Sequence, residues 1–486
     1  MLKSLLTLWV FLASTGLSLA QDADTLARPL RPIVVPADTL VRVVPCPGIG
    51  RAAVNTILFA GNSVTKERIL RAELDFREGD TLVLADLSTR LEKNRSRLFN
   101  LQLFHAVVAQ ASCASGRLII VFGVQERWYT FPVPILSLAD RNLRSWSERS
   151  DRWRRVDYGI HVVRSNFRGR NEQIIANLQL GFNRKYELFY EAPGLGTYRR
   201  IGLGAGTSFY QSRTLDYITR ADRLVPLRAD QGFPIQRFYV TAGLRFRHTV
   251  QFLTALDASY HREQINDSVN FYNPNYYQGR AQREYLDFTL TSTRNKRNTF
   301  AYPLTGQYAQ ARFTHRIFLN NYTPSLTTIR LKYARYVSLG REFYYSAGLS
   351  GQARLTRRLA YADSRALGYE DLIRGYDEYV IDGRHYGLLQ QGLSYRLFHP
   401  EPVRLPSVSN AKINTIPLAV YLNIFADAGY VVSPTLSPEN RLPNHLLRAI
   451  GLGLHLVTYY DRVFTAEYTL NGLGQTGYFF RAEFPI

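Results

Sequence analysis

The stretch LIRGYDEY, Leu372 to Tyr379, sets an arginine beside a glycine and an aromatic within a long polar connection. A guanidinium is planar and forked, so it can give two parallel, charge-assisted hydrogen bonds to one carboxylate and fix orientation as well as distance. The glycine admits close backbone approach, and the tyrosine offers an apolar body with a polar tip. This is chemistry for holding a segment in place. Covalent and cofactor chemistry finds little support. GLGQTG, Gly472 to Gly477, satisfies G-x-G-x-x-G, but it lies between two strand-like segments with no helix after it, so the dinucleotide context fails. The nine histidines are scattered and form no H-E-x-x-H, and there is neither a G-x-S-x-G elbow nor a C-x-x-C. No enzyme, metal or cofactor is implied.

The elements that position Arg374 belong to an exported chain. Lys3, the apolar run Leu5 to Ala13 and the small residues of Ser18-Leu19-Ala20 before Gln21 read as a secretory signal peptide over 1–20. That run is too short to cross ~30 Å of hydrocarbon. No cysteine follows the cleavage site, and no second apolar run of about 18 residues exists to form a helical span. Yet there are 32 Tyr and 27 Phe against a single Met, a load that suits strands in a soluble sandwich or an outer-membrane barrel. The net charge of +21 comes from arginines spread singly along strand-like segments, with no basic cluster on a helix. That distribution excludes nucleic acid as partner and suits a wet lumen or anionic lipid headgroups. Cys46 and Cys113 are either bridged or two free thiols, since pairing depends on distance.

Two halves differ in period. Residues 21–50, with Pro29, Pro32, Pro36, Pro45 and Pro47, read as an extended tether. Across 51–128 the pattern is that of a compact domain. It holds a strand at Val54 to Phe59 ended by Gly61-Asn62, and a helix with Ile69, Leu70 and Leu74. A break at Gly79-Asp80 follows, then a second helix with Leu87, Leu91 and Leu98, and finally strands at Phe104 to Gln110 and Leu118 to Val124. The order β-α-α-β-β predicts two helices on one face of a three-stranded sheet. From 129 to 486 the helical period gives way to alternation, as in YVTAGLRFR and FTAEYTL, and about sixteen such segments follow one another. Long connections at 211–233, 263–282 and 356–384 alternate with tight turns such as Asn183-Arg184, which predicts long loops at one end and short turns at the other.

The first half resembles a POTRA domain, on the Gly61-Asn62 turn, Gly79-Asp80 and the LFNLQLFHAVV segment. The use of such a domain would be an exposed edge strand, Phe104, His105, Ala106, Val107, Val108, Ala109 and Gln110, which an extended client could join by backbone pairing; a spacer with a protected edge is the alternative. LIRGY resembles the [V/I]-R-G-[F/Y] signature of the BamA/TamA superfamily (surface-antigen type), whose long loop folds back into the barrel lumen. The second signature of that family, F-x-D-x-G on the thirteenth strand, is matched by Phe425-Ala426-Asp427-Ala428-Gly429. The resemblance implies a transmembrane β-barrel of about 16 antiparallel strands preceded by one small α+β POTRA-like periplasmic domain. The loop 356–384 would turn inward, locked by Arg374, Gly375 and Tyr376 against Asp427, Phe425 and Gly429. One departure stands out: where family members often carry E-Y-R on the twelfth strand, this chain has Ser394-Tyr395-Arg396, so either the lock rests on fewer contacts or Asp427 carries it alone. The end, QTGYFFRAEFPI, resembles the β-signal read by the assembly machinery, with Gly477, Tyr478, Phe480 and Phe484 carrying the likeness and Pro485-Ile486 displacing the usual terminal Phe. The functions implied are insertion or translocation of polypeptides at the bacterial outer membrane, a dedicated secretion pore, or a passive pore with the loop as constriction. The partners implied are outer-membrane lipid, unfolded outer-membrane or secreted clients, and periplasmic or lipoprotein accessory factors. An outer-membrane hydrolase with its residues in barrel loops is the enzymatic alternative, and a single POTRA-like domain suggests a specialised rather than a central member.

Overall fold

The computed structural model describes residues 41–43, 50–114, 116–138, 152–195, 200–229, 232–320, 323–398, 403–404, 415–416, 418–434, 439–458 and 462–483. The signal peptide, most of the tether, Cys46 and Phe484 lie outside the described residues.

The N-terminal domain comprises β1 (Val41–Val43), β2 (Arg51–Ala60), α1 (Glu67–Arg71), β3 (Thr81–Val83), α2 (Leu87–Phe99), β4 (Phe104–Ala114) and β5 (Arg117–Glu126). The sheet order is β1-β4-β5-β2-β3. Alternation on β5 sends Leu118, Ile120, Phe122 and Val124 into the core, where Leu87, Leu91 and Leu98 of α2 meet them. Asn94 is buried on the same helix face and is satisfied there: it accepts from the Asp75 backbone N–H at 2.9 Å and donates to the Asp75 carboxylate at 2.7 Å.

Two expectations need correction. The sheet has five strands rather than three, because β1 and β3 are only three residues long, too short to show a period. The edge of β4 is also covered over part of its length, at Ala109 to Ala111. Val41, Arg42 and Val43 lie parallel to it, opposite Ala109, Gln110 and Ala111, so the tether itself supplies a strand. Val41 and Val43 pack against the domain core while Arg42 is exposed, which is why this piece of the leader is ordered on the sheet. Cys113, two residues further along β4, is disulfide-bonded.

The second half is a sixteen-stranded sheet, each strand antiparallel to its chain neighbours. Its strands are β6 (Thr130–Leu138), β7 (Val156–Phe167), β8 (Glu172–Gly181), β9 (Arg184–Leu195), β10 (Ile201–Ser212), β11 (Ile235–Thr249), β12 (Phe252–Ile265) and β13 (Gln282–Asn295). They continue as β14 (Gly306–Phe318), β15 (Leu326–Gly340), β16 (Phe343–Leu355), β17 (His385–Phe398), β18 (Ala419–Val432), β19 (Leu446–Thr458), β20 (Arg462–Asn471) and β21 (Thr476–Glu483). On β18 the inward row is Tyr421, Asn423, Phe425, Asp427 and Val431, all buried, while Leu422, Ile424, Tyr430 and Val432 point outward and are exposed. An apolar outer row over a polar, charged interior is the pattern of a barrel in lipid. The inward arginines are matched to acids: Arg245 reaches Glu191 and Asp257, each at 2.7 Å, and Arg316 reaches Asp287 and Asp363, each at 2.8 Å.

Strand parity corrects the reading of the loops. The tight turn at 182–183 lies at the same end as the long connections 213–234, 266–281 and 356–384, whereas the long connection 399–418 lies at the other end, with the N-terminal domain. A turn dipeptide says nothing about which end it occupies; only the strand count does.

The N-terminal domain meets the barrel at the β7–β8 turn, where Lys66 N–H donates to Gly169 at 2.9 Å and Asn166 donates to Thr65 Oγ1 at 2.8 Å. Glu73 pairs with Arg247 at the foot of β11. Behind Thr65 lies Glu126, which accepts from the Thr65 hydroxyl at 2.6 Å, the Thr65 N–H at 2.7 Å and the Ser63 hydroxyl at 2.7 Å. Burial pushes the Glu126 carboxyl up, but these donors overturn that and hold it below the usual glutamate range.

Candidate functional site

The connection 356–384 leaves β16, forms a short pair of strands, Arg365–Leu367 with Ile381–Asp382, and lays residues 371–379 against the lumen wall. Its apolar side chains Leu367, Ile373, Tyr376 and Ile381 form one cluster with Tyr386 and Leu388 of β17, Val431 of β18, and Leu447 and Ala449 of β19. Burial of these side chains drives the loop inward; the charged contacts set its position.

Arg374 donates to Asp427 through Nε at 2.9 Å and Nη2 at 2.5 Å, and its own backbone N–H adds a third bond at 3.1 Å. The guanidinium lies 3.8 Å from the centre of the Phe425 ring, and Nη2 also reaches the Gln391 carbonyl at 3.2 Å. Asp427 is only 4% exposed. The fork is thus held from below by a ring and from the end by a carboxylate, an arrangement that lysine could not reproduce. Gly375 sits at φ +87°, and a Cβ there would meet Thr469 Oγ1 at 3.0 Å, so both conformation and space call for glycine. Gly429 acts from the wall side, since a Cβ on it would stand 2.5 Å from Ile373 Cδ1. Tyr376 is buried, accepts from Gly472 N–H at 3.1 Å and donates to the Arg448 carbonyl at 3.4 Å.

Sequence reasoning left Asp427 as the sole carboxylate. A second is present on another strand. Glu467 of β20, 5% exposed, stands 3.8 Å from Arg374 Nη1 and 3.6 Å from His455 Nε2, and binds Arg481 of β21. Ser394, the position where the family carries its acid, instead accepts from Asn423 at 2.8 Å.

The lumen is also filled from the domain side. The turn 296–305 sends in Tyr302, whose hydroxyl lies 3.0 Å from His455 Nδ1 and whose ring packs on Tyr421 at 4.6 Å. The end of α2 reaches the same turn, Asn100 donating to the Asn298 carbonyl at 3.1 Å.

At the barrel's ends in sequence, Tyr478 and Phe480 of β21 point outward, 76% and 81% exposed, and Gly477 lies where a Cβ would strike the Phe479 ring at 2.7 Å. Among the described residues, ladders join every other neighbouring pair of barrel strands, but none joins β21 to β6. GLGQTG forms the β20–β21 hairpin turn.

Residues 52–127 match the POTRA family, described as "Surface antigen variable number repeat". No curated protein matches the sequence. Among solved structures, BamA from Haemophilus ducreyi lacking POTRA domains 1–3 aligns over 89% of this chain and 84% of that one, with 14% identity and a TM-score of 0.51. CdiB from Escherichia coli aligns over 89% and 76%, with 14% identity and a TM-score of 0.52. At this identity the likeness is one of fold: a POTRA domain leading into a sixteen-stranded barrel.

Proposed function

We propose that this chain, a POTRA domain on a sixteen-stranded barrel of BamA/TamA type, resides in the bacterial outer membrane with the POTRA domain in the periplasm and assists insertion or translocation of polypeptides. The observation that supports the reading is that, among the described residues, no ladder joins β6 to β21. A barrel spanning lipid ordinarily closes so that no backbone edge is left without partners. An edge that stays open offers N–H and C=O groups to an incoming strand, and the client's own folding and burial in lipid supply the driving force. No covalent step or cofactor enters this reading.

Capture at the POTRA domain takes a modified form. Because β1 covers β4 at Ala109 to Ala111, an extended client that pairs along that part of the edge displaces Val41–Val43. A passive pore is disfavoured because the inserted loop and Tyr302 occupy the lumen from both ends.

The test is a cysteine pair across the seam, one in β6 and one in β21, oxidised in the full-length chain. Closure should abolish client insertion or export, and reduction should restore it relative to a parent treated identically. Undiminished activity with the seam covalently shut would defeat the reading. Comparing the outer-membrane proteome with and without the protein then identifies clients.

A further inference from the structure

The contacts of the loop are distributed unevenly around the barrel. Beyond Arg374, residues 375–379 fall on the hairpin of β20 and β21. Asn471 donates to the Gly375 carbonyl at 2.9 Å, Gly472 N–H to Tyr376 at 3.1 Å, and Gln475 exchanges hydrogen bonds with the Tyr379 hydroxyl at 2.9 and 3.0 Å. These hold the hairpin turn. Further down β21, Arg481 points into the lumen, donates to Asp377 Oδ1 at 2.5 Å and pairs with Glu467. Asp377 is fixed in turn by the Gly375 N–H, at 3.1 Å. Arg481 lies five residues beyond Thr476, roughly 16 Å along the strand, so the loop grips the hairpin at both its tip and its shaft.

This matters because, among the described residues, β21 has one ladder, to β20. Its other edge faces the seam. The charges form one chain from wall to seam: Asp427, Arg374, Glu467, Arg481 and back to the loop at Asp377. Glu467 lies between two guanidiniums belonging to different parts of the molecule, and a buried carboxylate in that setting keeps both cations in place, since removing either leaves it undercompensated.

We propose that Asp377, Arg481 and Glu467 are positioning residues through which the inserted loop holds the strand bordering the seam, so that loop docking and seam geometry form one equilibrium. The bearing on polypeptide insertion rests on the function proposed above; the clasp itself does not.

The test is hydrogen exchange on the full-length chain folded in detergent micelles, reading amides of Thr476–Glu483 against those of Ile201–Ser212. Asp377→Asn removes one charge-assisted bond and should speed exchange in β21 about tenfold, with β10 unchanged. Arg481→Lys keeps the charge but cannot reach both acids with one fork, and should give about a threefold increase; it carries the test if the first variant fails to fold. Exchange in β21 within twofold of the parent in the folded variants would overturn the clasp. Client insertion is measured separately on the same samples. Faster β21 exchange with unaltered insertion would leave the clasp standing and remove its functional meaning.

Discussion

Asp427→Asn tests the lock most directly. The amide keeps the shape of the carboxylate and one acceptor oxygen, but loses the charge and turns an NH2 toward the guanidinium donors. Breaking one side of a buried ion pair costs ~3–5 kcal/mol. Arg374 keeps the Gln391 carbonyl, the Phe425 face and the more distant Glu467. These residual contacts bring the expected loss to the lower end, ~3 kcal/mol. At ~1.4 kcal/mol per factor of ten, the undocked loop becomes roughly a hundredfold more populated. Trypsin reads this as the rate of cleavage after Arg374 in the folded, detergent-solubilised chain, provided redocking outpaces cutting, so that cleavage follows the open population. A rate within twofold of the parent would show that the apolar cluster alone holds the loop and that the ion pair is incidental. Arg374→Lys preserves charge but not the fork, and should fall between, at about tenfold.

Gly375→Ala should raise the same cleavage rate about tenfold, since it combines a φ of +87° with contact to Thr469, while Gly474→Ala, at φ +76° with nothing within 4 Å, should change it less. Val41→Pro with Val43→Pro removes the short parallel ladder on β4, worth ~1–2 kcal/mol, and should tighten binding of an extended β-strand peptide about tenfold by fluorescence anisotropy; unchanged affinity would show that clients do not use this edge. Glu126 is held below its ordinary range in the folded domain, so its contribution to stability is complete above the unfolded value of ~4.3 and is lost as pH falls through the lower folded value. Exchange of β2 and β5 amides in the full chain should therefore accelerate as pH drops below ~4 beyond the intrinsic pH dependence, and Glu126→Gln should abolish that excess. Glu467→Gln should loosen both the loop and β21, because its carboxylate serves Arg374 and Arg481 together, so trypsin cleavage and β21 exchange should rise in parallel.

The parts of this molecule that could be read from residues alone are those with a local period or a short motif. Alternation located the barrel strands because an inward polar row beside an outward apolar row repeats over ten or more residues. Arg374 and Asp427 were legible because LIRGY and Phe425–Gly429 resemble the two family signatures, and the phase of β18 put Asp427 on the inward row. Glu467 lay in plain view as one acid on the polar face of FTAEYTL. Its importance depends on where Arg374 and Arg481 fall in space, and nothing within β20 encodes that meeting. The same reason hid the clasp: Asp377 and Arg481 are over a hundred residues apart and share no pattern. Val41–Val43 escaped because three residues carry no period and a Pro-rich setting argues for extended chain, which is the conformation a sheet edge can recruit. Short α1 fell below expectation because its backbone leaves the helix at Ala72, while Leu74 reaches the core from the turn that follows.

The hydrogen bond from Asn100 to Asn298 adds to the ties at Gly169, Asn166 and Arg247 a direct link between the N-terminal domain and the turn that plugs the lumen. The turn it touches carries Tyr302, the stopper resting on His455 and Tyr421. Any displacement of the N-terminal domain at this point therefore either breaks that bond or shifts the turn that seats Tyr302 in the bore.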